Sequence, residues 1–500
     1  IMLGYPSAGP AAEAVAYLPR LTNAPRDEFF WMCQIDKASI ISNHEEHLIS
    51  DQQAARFAQG LQKTIEQGSL AGSARPKMYI RFEPLVIKHA GIESTLIHAG
   101  RSSQDIHSTF HRTVLREQLL RFMQLALAAR QSLLTKIREN FEVIVPNYTN
   151  GVAAQPNALA HQWLGHVQSF ERDFRALAFA WQELNFSPMG SCVLNGTGWP
   201  LNRKRMAQLL GFDGVLLNAY DAGQIATEDA FLSVSQVLVA PMLHLGHFLQ
   251  DIMTQYAQSR PWILVSSTYA SSAMPQKRNP GSLIDIRRDA SQVLSETQSE
   301  VWRLHNLMPG MYDGKDLAIT GELFEDACQV MDAFGKVLAL LKIDASRALE
   351  ELNSDWTASQ ELADILMRRF AIPFRIGHRF ASSLVSFART NQFTPKNIRY
   401  EDVCTLWYEL AAKEQAEEPG LAAAFPLSKD AFFAALDPLH IVSERQTEGG
   451  PQLTERQRLL DQATTQYEAD CEWVKTTQDK LQQRENDLEQ IFCSLILSAS

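Results

Sequence analysis

The sequence lacks the features that mark nucleic-acid-binding and membrane proteins. Its 500 residues carry 46 Lys and Arg against 57 Asp and Glu, a formal net charge of −11 at pH 7, with no block of five or six consecutive basic residues. A membrane-spanning helix needs about 20 apolar residues in succession, and no such run occurs. Binding to phosphates or anionic lipids depends on concentrated positive charge. We therefore expect no nucleic acid and no membrane as partners, but small molecules or protein chains.

Cysteine is also scarce, and the six cysteines lie far apart without a CxxC pair. They are Cys33, Cys192, Cys328, Cys404, Cys471 and Cys493. This usage is typical of a reducing compartment, so we interpret them as core thiols rather than as disulfides or nucleophiles. Residues 1–18 contain no basic segment ahead of their apolar residues, as a secretory signal would. A cytoplasmic location is therefore expected.

Motifs for nucleotides, cofactors and metals are missing too. Gly196-Thr-Gly198 has neither the third glycine nor the preceding strand of a dinucleotide-binding fingerprint, and neither GxxxxGK[ST] nor GxSxG occurs. His244, His247 and Asp251 would share one helical face, but no HExxH-type pattern accompanies them. We interpret these histidines as a polar seam between packed helices, and we predict no metal site and no cofactor.

The sequence does contain long helical periodicity. Apolar residues recur at intervals of three and four from His107 to Asn140, without Gly or Pro for over thirty residues. Similar stretches cover residues 160–183, 228–258 and the segment after Pro280. Runs typical of strands are few and short, at 141–146 and 263–267, which makes a large sheet unexpected. The pattern predicts an all-α fold built on an elongated helical bundle.

The chain is longer than one hydrophobic core usually supports, so we expect several domains. Domain boundaries are indicated by turn-rich segments at 68–76 and 308–314 and by a change of pattern near Asp355. We predict an N-terminal helical domain over 1–100, a central bundle over 101–352 and a C-terminal helical domain over 353–500. A single apolar stripe from Leu460 to Leu495 favours packing of the terminal helix onto its own domain or a neighbouring subunit.

The segment SSAMPQKRNP at 271–280 has the most unusual chemistry. Its two prolines, five residues apart, prevent a continuous helix, and hydroxyls, amides and cations are crowded together. Lys277 and Arg278 could bind a carboxylate, and a hydroxyl could approach a reacting carbon once the loop closed. A solvated turn with incidental charges is the alternative.

Two further polar clusters precede helices. HAGRSSQD at 98–105 places glycine and polar residues at a helix entry, which suits an anion. Capping of that helix by Ser102, Ser103 or Asp105 is the favoured interpretation. The segment PNYTNG at 146–151 combines turn chemistry with many amides.

These three segments resemble motifs of the fumarase/aspartase superfamily. The loop resembles its signature GSSxMPxKxNP, with Ala270 in place of the glycine. HAGRSSQD at 98–105 resembles the HTGRSRND of argininosuccinate lyases, and VPNYTNGVAAQP at 145–156 resembles their PGYTHLQRAQP. The likeness continues in the same order over about residues 95–450 and points to the argininosuccinate lyase branch.

The resemblance implies a three-domain, mostly helical subunit whose central helices form the twenty-helix core of a homotetramer. It also implies active sites built from three motif regions of three different chains. The implied reaction is a reversible β-elimination, in which a base removes a proton next to a carboxylate, an aci-carboxylate forms, and an amine departs to leave fumarate. We therefore expect a carbon–nitrogen lyase that acts on a small di- or tricarboxylate.

Site residues follow from the same resemblance. Ser271 matches the catalytic base, and Lys277 and Thr149 match further catalytic positions. A serine hydroxyl is too weakly acidic at pH 7 to act unaided, so the positive field of the closed loop must activate it. The expected substrate-binding residues are Arg101, Ser103, Gln104, Asn150, Gln155, Ser272, Met274, Asn279 and Tyr312. Positive charge for the carboxylates is expected from Lys277, Arg278, Arg101 and His98.

Three positions depart from the argininosuccinate lyase pattern. Asn150 replaces a histidine and cannot exchange a proton near neutral pH. Ser103 replaces an arginine and cannot form a bidentate clamp on a carboxylate. Leu317 replaces a glutamine that contacts the arginine portion of the substrate. We therefore expect argininosuccinate to be a poor substrate.

The favoured function is the release of fumarate and an amine from an N-substituted aspartate. Ethylenediamine-disuccinate lyase is a family example with a leaving group other than arginine. One alternative is a different dicarboxylate lyase or a cycloisomerase, because GRSSQD also resembles the TSQD of carboxymuconate cycloisomerases. The other is a catalytically silent scaffold, as lens δ-crystallins are in this family.

Overall fold

The computed structural model describes residues 25–265, 268–312 and 314–497. Most of these residues are helical, and the strands pair only in short two-stranded sheets. The prediction of an all-α fold is therefore confirmed. The N-terminal stretch considered above, 1–18, and the end of the strand-like run, 266–267, lie outside the described residues.

The elements follow one another as three helical groups with short strands between them. The first group is α1 Glu28–Glu45, α2 Asp51–Gly68 and α3 Tyr79–Ala90, with a 3₁₀ turn at Ile92–His98. The central group is α4 Ser103–Glu139, α5 Leu159–Leu184, α6 Arg203–Leu209, a π-helical turn Asp221–Ile225, α7 Ala226–Gln236, α8 Val239–Thr254, a 3₁₀ turn Gln255–Ala257, α9 Gly281–Leu304 and α10 Leu317–Leu340. The last group is α11 Ala345–Ser354, α12 Ser359–Phe370, α13 Phe374–Thr390, α14 Tyr400–Glu414, α15 Lys429–Ala435, α16 Pro438–Ser443 and α17 Leu453–Leu497.

Four two-stranded sheets connect these helices. The strands are β1 Ile144–Thr149, β2 Val152–Ala158, β3 Phe186–Ser187, β4 Gly214–Val215, β5 Ile263–Leu264, β6 Tyr269–Ala270, β7 Arg278–Asn279 and β8 Lys342–Ile343. The pairs β1–β2, β5–β8 and β6–β7 are antiparallel, whereas β3–β4 is parallel. The β1–β2 hairpin carries the polar segment 146–151, and the β6–β7 hairpin carries the segment 271–280.

Helix α4 has 37 residues and begins at a capping box. Ser102 Oγ accepts from the backbone N–H of Gln104 (3.1 Å), and Asp105 Oδ1 accepts from the N–H of Ser102 (2.6 Å). The capping interpretation of this segment is thereby confirmed. The helix starts four residues before the periodic apolar residues begin, because the cap and not the periodicity decides where a helix starts.

Apolar side chains of the described residues gather into three main clusters. The central one lies among α4, α5 and α7–α10 and includes Trp163 and Phe334. A second joins α1–α3 to the start of α4 and to α6, and a third occupies residues 356–441. Helix α17 packs against the first two clusters through Tyr467 and Phe492. We propose these clusters as the cores of three domains.

One helical stretch, Asp221–Ala257, is long and apolar enough to cross a bilayer by length and composition. Its side chains Phe231, Leu245 and Phe248 belong to the central apolar cluster. A core helix of a bundle meets the same two criteria. The packing of these side chains favours a core helix.

A buried ion pair links α4 to α17 and allows a test of the fold. Arg130 Nη1 lies 2.6 Å from Asp470 Oδ2, and the two side chains are 1% and 8% exposed. We expect Asp470→Ala to lower the free energy of unfolding by about 3–5 kcal/mol, because a buried guanidinium would lose its counter-charge. Chemical denaturation measures this. The double variant R130M/D470A is the matched control and should regain most of the loss, whereas a single variant as stable as the wild type would contradict the assignment.

Candidate active site

The segment 271–280 forms a small hairpin at the surface. Tyr269 pairs with Asn279 across β6–β7, and Asn279 Nδ2 donates to the carbonyl oxygen of Tyr269 (3.3 Å). Gly281 follows the hairpin at a place where an added Cβ would lie 2.7 Å from the Tyr269 ring. Ser272, Met274 and Lys277 are exposed on the loop. The hairpin thus presents its polar side chains away from the bundle.

Ser271 lies half-buried at the base of this loop. Its Oγ accepts hydrogen bonds from the backbone N–H groups of Ala273 (3.3 Å) and Met274 (3.1 Å). Donors directed at an oxygen stabilise negative charge on it. Arg278 donates to the carbonyl oxygens of Pro275 (2.8 Å) and Lys277 (3.2 Å). These contacts stay inside the loop and direct two backbone N–H groups at the Ser271 oxygen.

The second predicted segment is the tip of the β1–β2 hairpin. Asn150 and Gly151 have φ values of 51° and 79°, as a tight Asn-Gly hairpin turn requires. Thr149 and Asn150 are exposed there, and Gln155 on β2 donates its amide to Gln360 on α12. The hairpin therefore places the threonine and the asparagine side by side at one end of α4.

The hairpin and the serine loop are attached to the same region of the subunit. Tyr148, next to the hairpin tip, accepts through Oη from Trp262 Nε1 (3.1 Å). Trp262 precedes the serine loop by only nine residues. Both predicted catalytic segments thus lie beyond the C-terminal end of α4.

The third segment, at the start of α4, is organised by Asp105. This carboxylate is fully buried and accepts from the backbone N–H of Ser102 (2.6 Å), Gly190 (2.9 Å) and Cys192 (3.3 Å). It therefore joins the turn before α4 to the segment that follows β3. Ser103 is exposed at the first helical position, where the N-terminal end of the helix favours an anion.

Arg101 and His98, which we expected to supply positive charge, point into the protein. Arg101 is 7% exposed, and its Nη1 donates to Asn43 Oδ1 (3.1 Å) and to the carbonyl oxygens of Ile97 and Ala99. Burial lowers the pKa of Arg101 to about 10, so it stays cationic at neutral pH. His98 is half-buried with Nδ1 3.7 Å from Glu83. A substrate contact of Arg101 stays a prediction.

Gln104 and Tyr312 meet across an amide network. Gln104 Nε2 contacts Gln224 Oε1 (3.4 Å), and the same oxygen accepts from the backbone N–H of Gly310 (2.8 Å). Tyr312 then reaches α4 one turn beyond Gln104, where its hydroxyl bonds to His107 Nδ1. The structure therefore brings Ser103, Gln104 and Tyr312 to one place, which we call the N-terminal half-site.

The remaining predicted residues lie far from this place in the same chain. The serine loop directly precedes α9, whose 24 residues span about 36 Å, and the segment carrying Tyr312 follows its other end. The Thr149 hairpin follows α4, whose 37 residues span about 55 Å from Ser103. We call the serine loop and the Thr149 hairpin the loop half-site. One subunit thus carries two half-sites at opposite ends of its bundle.

Known proteins resemble this chain over most of its length. A family model described as "Lyase" matches residues 73–295. The argininosuccinate lyase of Methanosarcina acetivorans is 27% identical over 464 residues, 89% of each chain, and argininosuccinate lyase 1 of Shouchella clausii is 26% identical over 96% of each. The crystal structure of EDDS lyase in complex with formate superposes with a TM-score of 0.83 at 23% identity, covering 94% of this chain and 92% of that one.

These similarities support a place for the chain in the fumarase/aspartase superfamily, near the argininosuccinate lyases, as the three polar segments predicted. The expectation of a carbon–nitrogen lyase is confirmed at the level of this class.

Residues that sequence reasoning missed include Gln224 and His107. Gln224 lies in the π-helical turn, and its Nε2 also donates to the carbonyl oxygen of Val193 (2.8 Å). π-helical turns inside α-helices are frequent at functional sites. His107 falls within the apolar periodicity of α4, so nothing in the sequence marks its contact with Tyr312. Asp105 was recognised as a cap but not as the partner of Gly190.

The histidines that could have formed a metal site form a polar seam instead. His244 Nδ1 lies 2.8 Å from Asp173, and His166 Nε2 lies 2.9 Å from Asp251. His247 packs edge-on against the His166 ring, 5.7 Å between centroids. The seam interpretation is confirmed, because each carboxylate is paired with a histidine across α5 and α8.

Asp105 provides a test of how the N-terminal half-site is held. We expect Asp105→Ala to lower the free energy of unfolding by at least about 2 kcal/mol, because it leaves buried N–H groups of two segments without an acceptor. Thermal or chemical unfolding measures this. Ser103→Ala, two residues away and exposed, is the control and should change stability by less than about 0.5 kcal/mol. Equal stability of both variants would contradict the role of Asp105.

Proposed function

We propose that this protein catalyses the reversible β-elimination of an amine from an N-substituted aspartate, releasing fumarate. The observation that carries the proposal is the serine loop, in which two backbone N–H groups are directed at Ser271 Oγ. Relatives over nearly the full chain are argininosuccinate lyases, which supports the reaction class. The elimination needs only protein side chains, so we propose no cofactor.

The proposed mechanism assigns one role to each half-site. Ser271, once ionised, takes the proton from the carbon next to one carboxylate, and the C–H electrons move into that carboxylate to give an aci-carboxylate dianion. Lys277, Asn279 and loop N–H groups stabilise the dianion when the loop closes. The electron pair of the aci-carboxylate then forms the C=C bond of fumarate. At the same time the C–N bond breaks, and both of its electrons go to nitrogen. Ser103 and Gln104 bind the other carboxylate at the start of α4.

Asn150 favours an alkylamine leaving group. Asn150 cannot donate a proton near neutral pH, whereas an alkylamine nitrogen with a pKa well above 7 is already protonated in the substrate. Such a nitrogen leaves as a neutral amine without an acid. Thr149 lies beside Asn150 and can hydrogen-bond this nitrogen. We therefore propose an N-alkylated aspartate as the substrate class.

Argininosuccinate is proposed to be a poor substrate. Leu317, at the start of α10, is partly buried against the apolar clusters and has no group that bonds a guanidinium. Ser103 cannot reproduce a bidentate arginine–carboxylate contact. The amine-side pocket is thus altered while the serine loop is retained.

We further propose a homotetramer located in the cytoplasm. A complete site needs both half-sites, and about 36 Å of helix separates them in one subunit. In the arrangement that the resemblance implies, the serine loop, the Thr149 hairpin and the N-terminal half-site of one active site each come from a different chain. A closed symmetric assembly would therefore complete every site.

Turnover tests the reaction and the role of Ser271. With fumarate and a panel of amines and diamines, we expect loss of fumarate absorbance for at least one alkylamine and little reaction with arginine. Ser271→Ala should lower kcat by about 10²–10⁴-fold, since a general base contributes that much. Ser291→Ala, on the exposed side of α9, is the matched control and should retain activity. Absence of turnover with every amine would favour a silent scaffold or a cycloisomerase, and turnover in Ser271→Ala would remove the base assignment.

Subunit complementation tests the shared site. Ser271→Ala and Tyr312→Phe each damage a different half-site, so we expect either variant alone to be impaired. Oligomers that contain both variants, isolated by two different affinity tags after co-expression, should regain part of the activity. Oligomers of Ser271→Ala with Asn279→Ala are the control and should stay inactive, because both lesions lie in one loop. An active monomer by light scattering would overturn the proposed assembly.

A further inference from the structure

His107 on α4 completes the start of another helix. It is 3% exposed, and its Nε2 accepts from the backbone N–H of Tyr79 (3.0 Å), the first residue of α3. The N-cap residue of α3, Met78, provides no side-chain acceptor. The first N–H groups of a helix have no partner within it, so the imidazole satisfies a donor that would otherwise be buried without one.

This contact determines which ring nitrogen of His107 carries hydrogen. A backbone N–H can only donate, so Nε2 must be unprotonated. In a neutral imidazole the hydrogen is then on Nδ1. Burial lowers the pKa of His107 to about 4, which keeps the ring neutral at physiological pH. Nδ1–H therefore donates to the hydroxyl oxygen of Tyr312, with which it is in contact.

The direction of that bond decides what Tyr312 can do. Its oxygen accepts from His107, so its own hydrogen is left to donate to another group. Burial raises the pKa of the Tyr312 hydroxyl, so it remains protonated. The rings of His107 and His111 pack against the Tyr312 ring with centroids 5.6 and 5.9 Å away, and the tyrosine is still 39% exposed. The phenol is thus an oriented donor on a residue that is partly exposed.

We propose that His107 is a positioning residue that holds Tyr312 as a hydrogen-bond donor to a carboxylate of the substrate. This rests on the proposed function and deepens it. Gln104 lies one turn before His107 on α4, and Ser103 lies at the positive end of the helix, so three neutral side chains that can donate lie at the same end of α4. A carboxylate has lone pairs for all of them. Together they replace part of the clamp that an arginine at position 103 would form.

Two isosteric variants separate this role from the role of His107 in the fold. In His107→Gln the amide oxygen can occupy the place of Nε2 and accept from Tyr79, but no donor reaches Tyr312. In His107→Asn the amide N–H can occupy the place of Nδ1 and donate to Tyr312, but the start of α3 loses its acceptor. The first variant should therefore damage binding, and the second should damage stability.

The measurement is fumarate binding by calorimetry beside thermal unfolding of the full-length protein. We expect His107→Gln to bind fumarate about ten-fold more weakly than the wild type with Tm nearly unchanged, since a hydrogen bond to a charged group is lost or misdirected. His107→Asn should bind fumarate like the wild type, with a lower Tm. In a Tyr312→Phe background, His107→Gln should add no further loss of affinity.

The outcomes distinguish this inference from the proposed function. If the protein binds fumarate but turns over no amine adduct, the proposed function is wrong. The binding test of His107 then still applies. Equal losses of affinity in His107→Gln and His107→Asn would show a purely structural residue and overturn the inference. Wild-type affinity in His107→Gln, or no fumarate binding by the wild type, would overturn it as well.

Discussion

The rigid length of helix α4 is the constraint on which the organisation of this protein depends. A capping box sets its first residue, and 37 residues without glycine or proline carry it about 55 Å to the β1–β2 hairpin. Polar groups attached to its two ends cannot meet within one subunit. Helix α9, with 24 residues, imposes a separation of about 36 Å between the serine loop and the segment that carries Tyr312. Under the proposed function, a site that needs groups from both ends would be assembled between chains.

The electrostatics of the two half-sites are unlike each other. Lys277 and Arg278 carry charge on an exposed, polar loop, where water solvates both side chains. The N-terminal half-site relies on the end of a helix and on the uncharged donors Gln104 and Tyr312. On a chain with a net charge of −11, a dianionic substrate is attracted locally and not by the overall field. Arg101 is nearby but directed at backbone carbonyls, so it shapes the turn before α4.

The buried titratable groups of the N-terminal half-site hold neighbouring backbone segments and side chains in position. Asp105 accepts from three backbone N–H groups and holds two loops together. His107 accepts from one helix and donates to Tyr312, a sequence of bonds that only the neutral Nδ1–H tautomer permits. Each of these side chains accepts from a backbone N–H group, which fixes its position. The orientation of Tyr312 therefore depends on the backbone at the start of α3, to which His107 is bonded.

The sequence by itself determined the all-α class, a helix cap among Ser102, Ser103 and Asp105, and the loop at 271–280, because periodicity, capping and paired prolines act over a few residues and are visible in one segment. Motif likeness also determined the superfamily. Only the tertiary structure decided that Arg101 turns inward, that Gln224 joins Gln104 to Gly310, and that His107 meets Tyr312 205 residues away. Those contacts depend on how the helices pack against one another. The sequence around a histidine in an apolar stripe is the same whatever side chain packs against it, so the sequence does not show its partner.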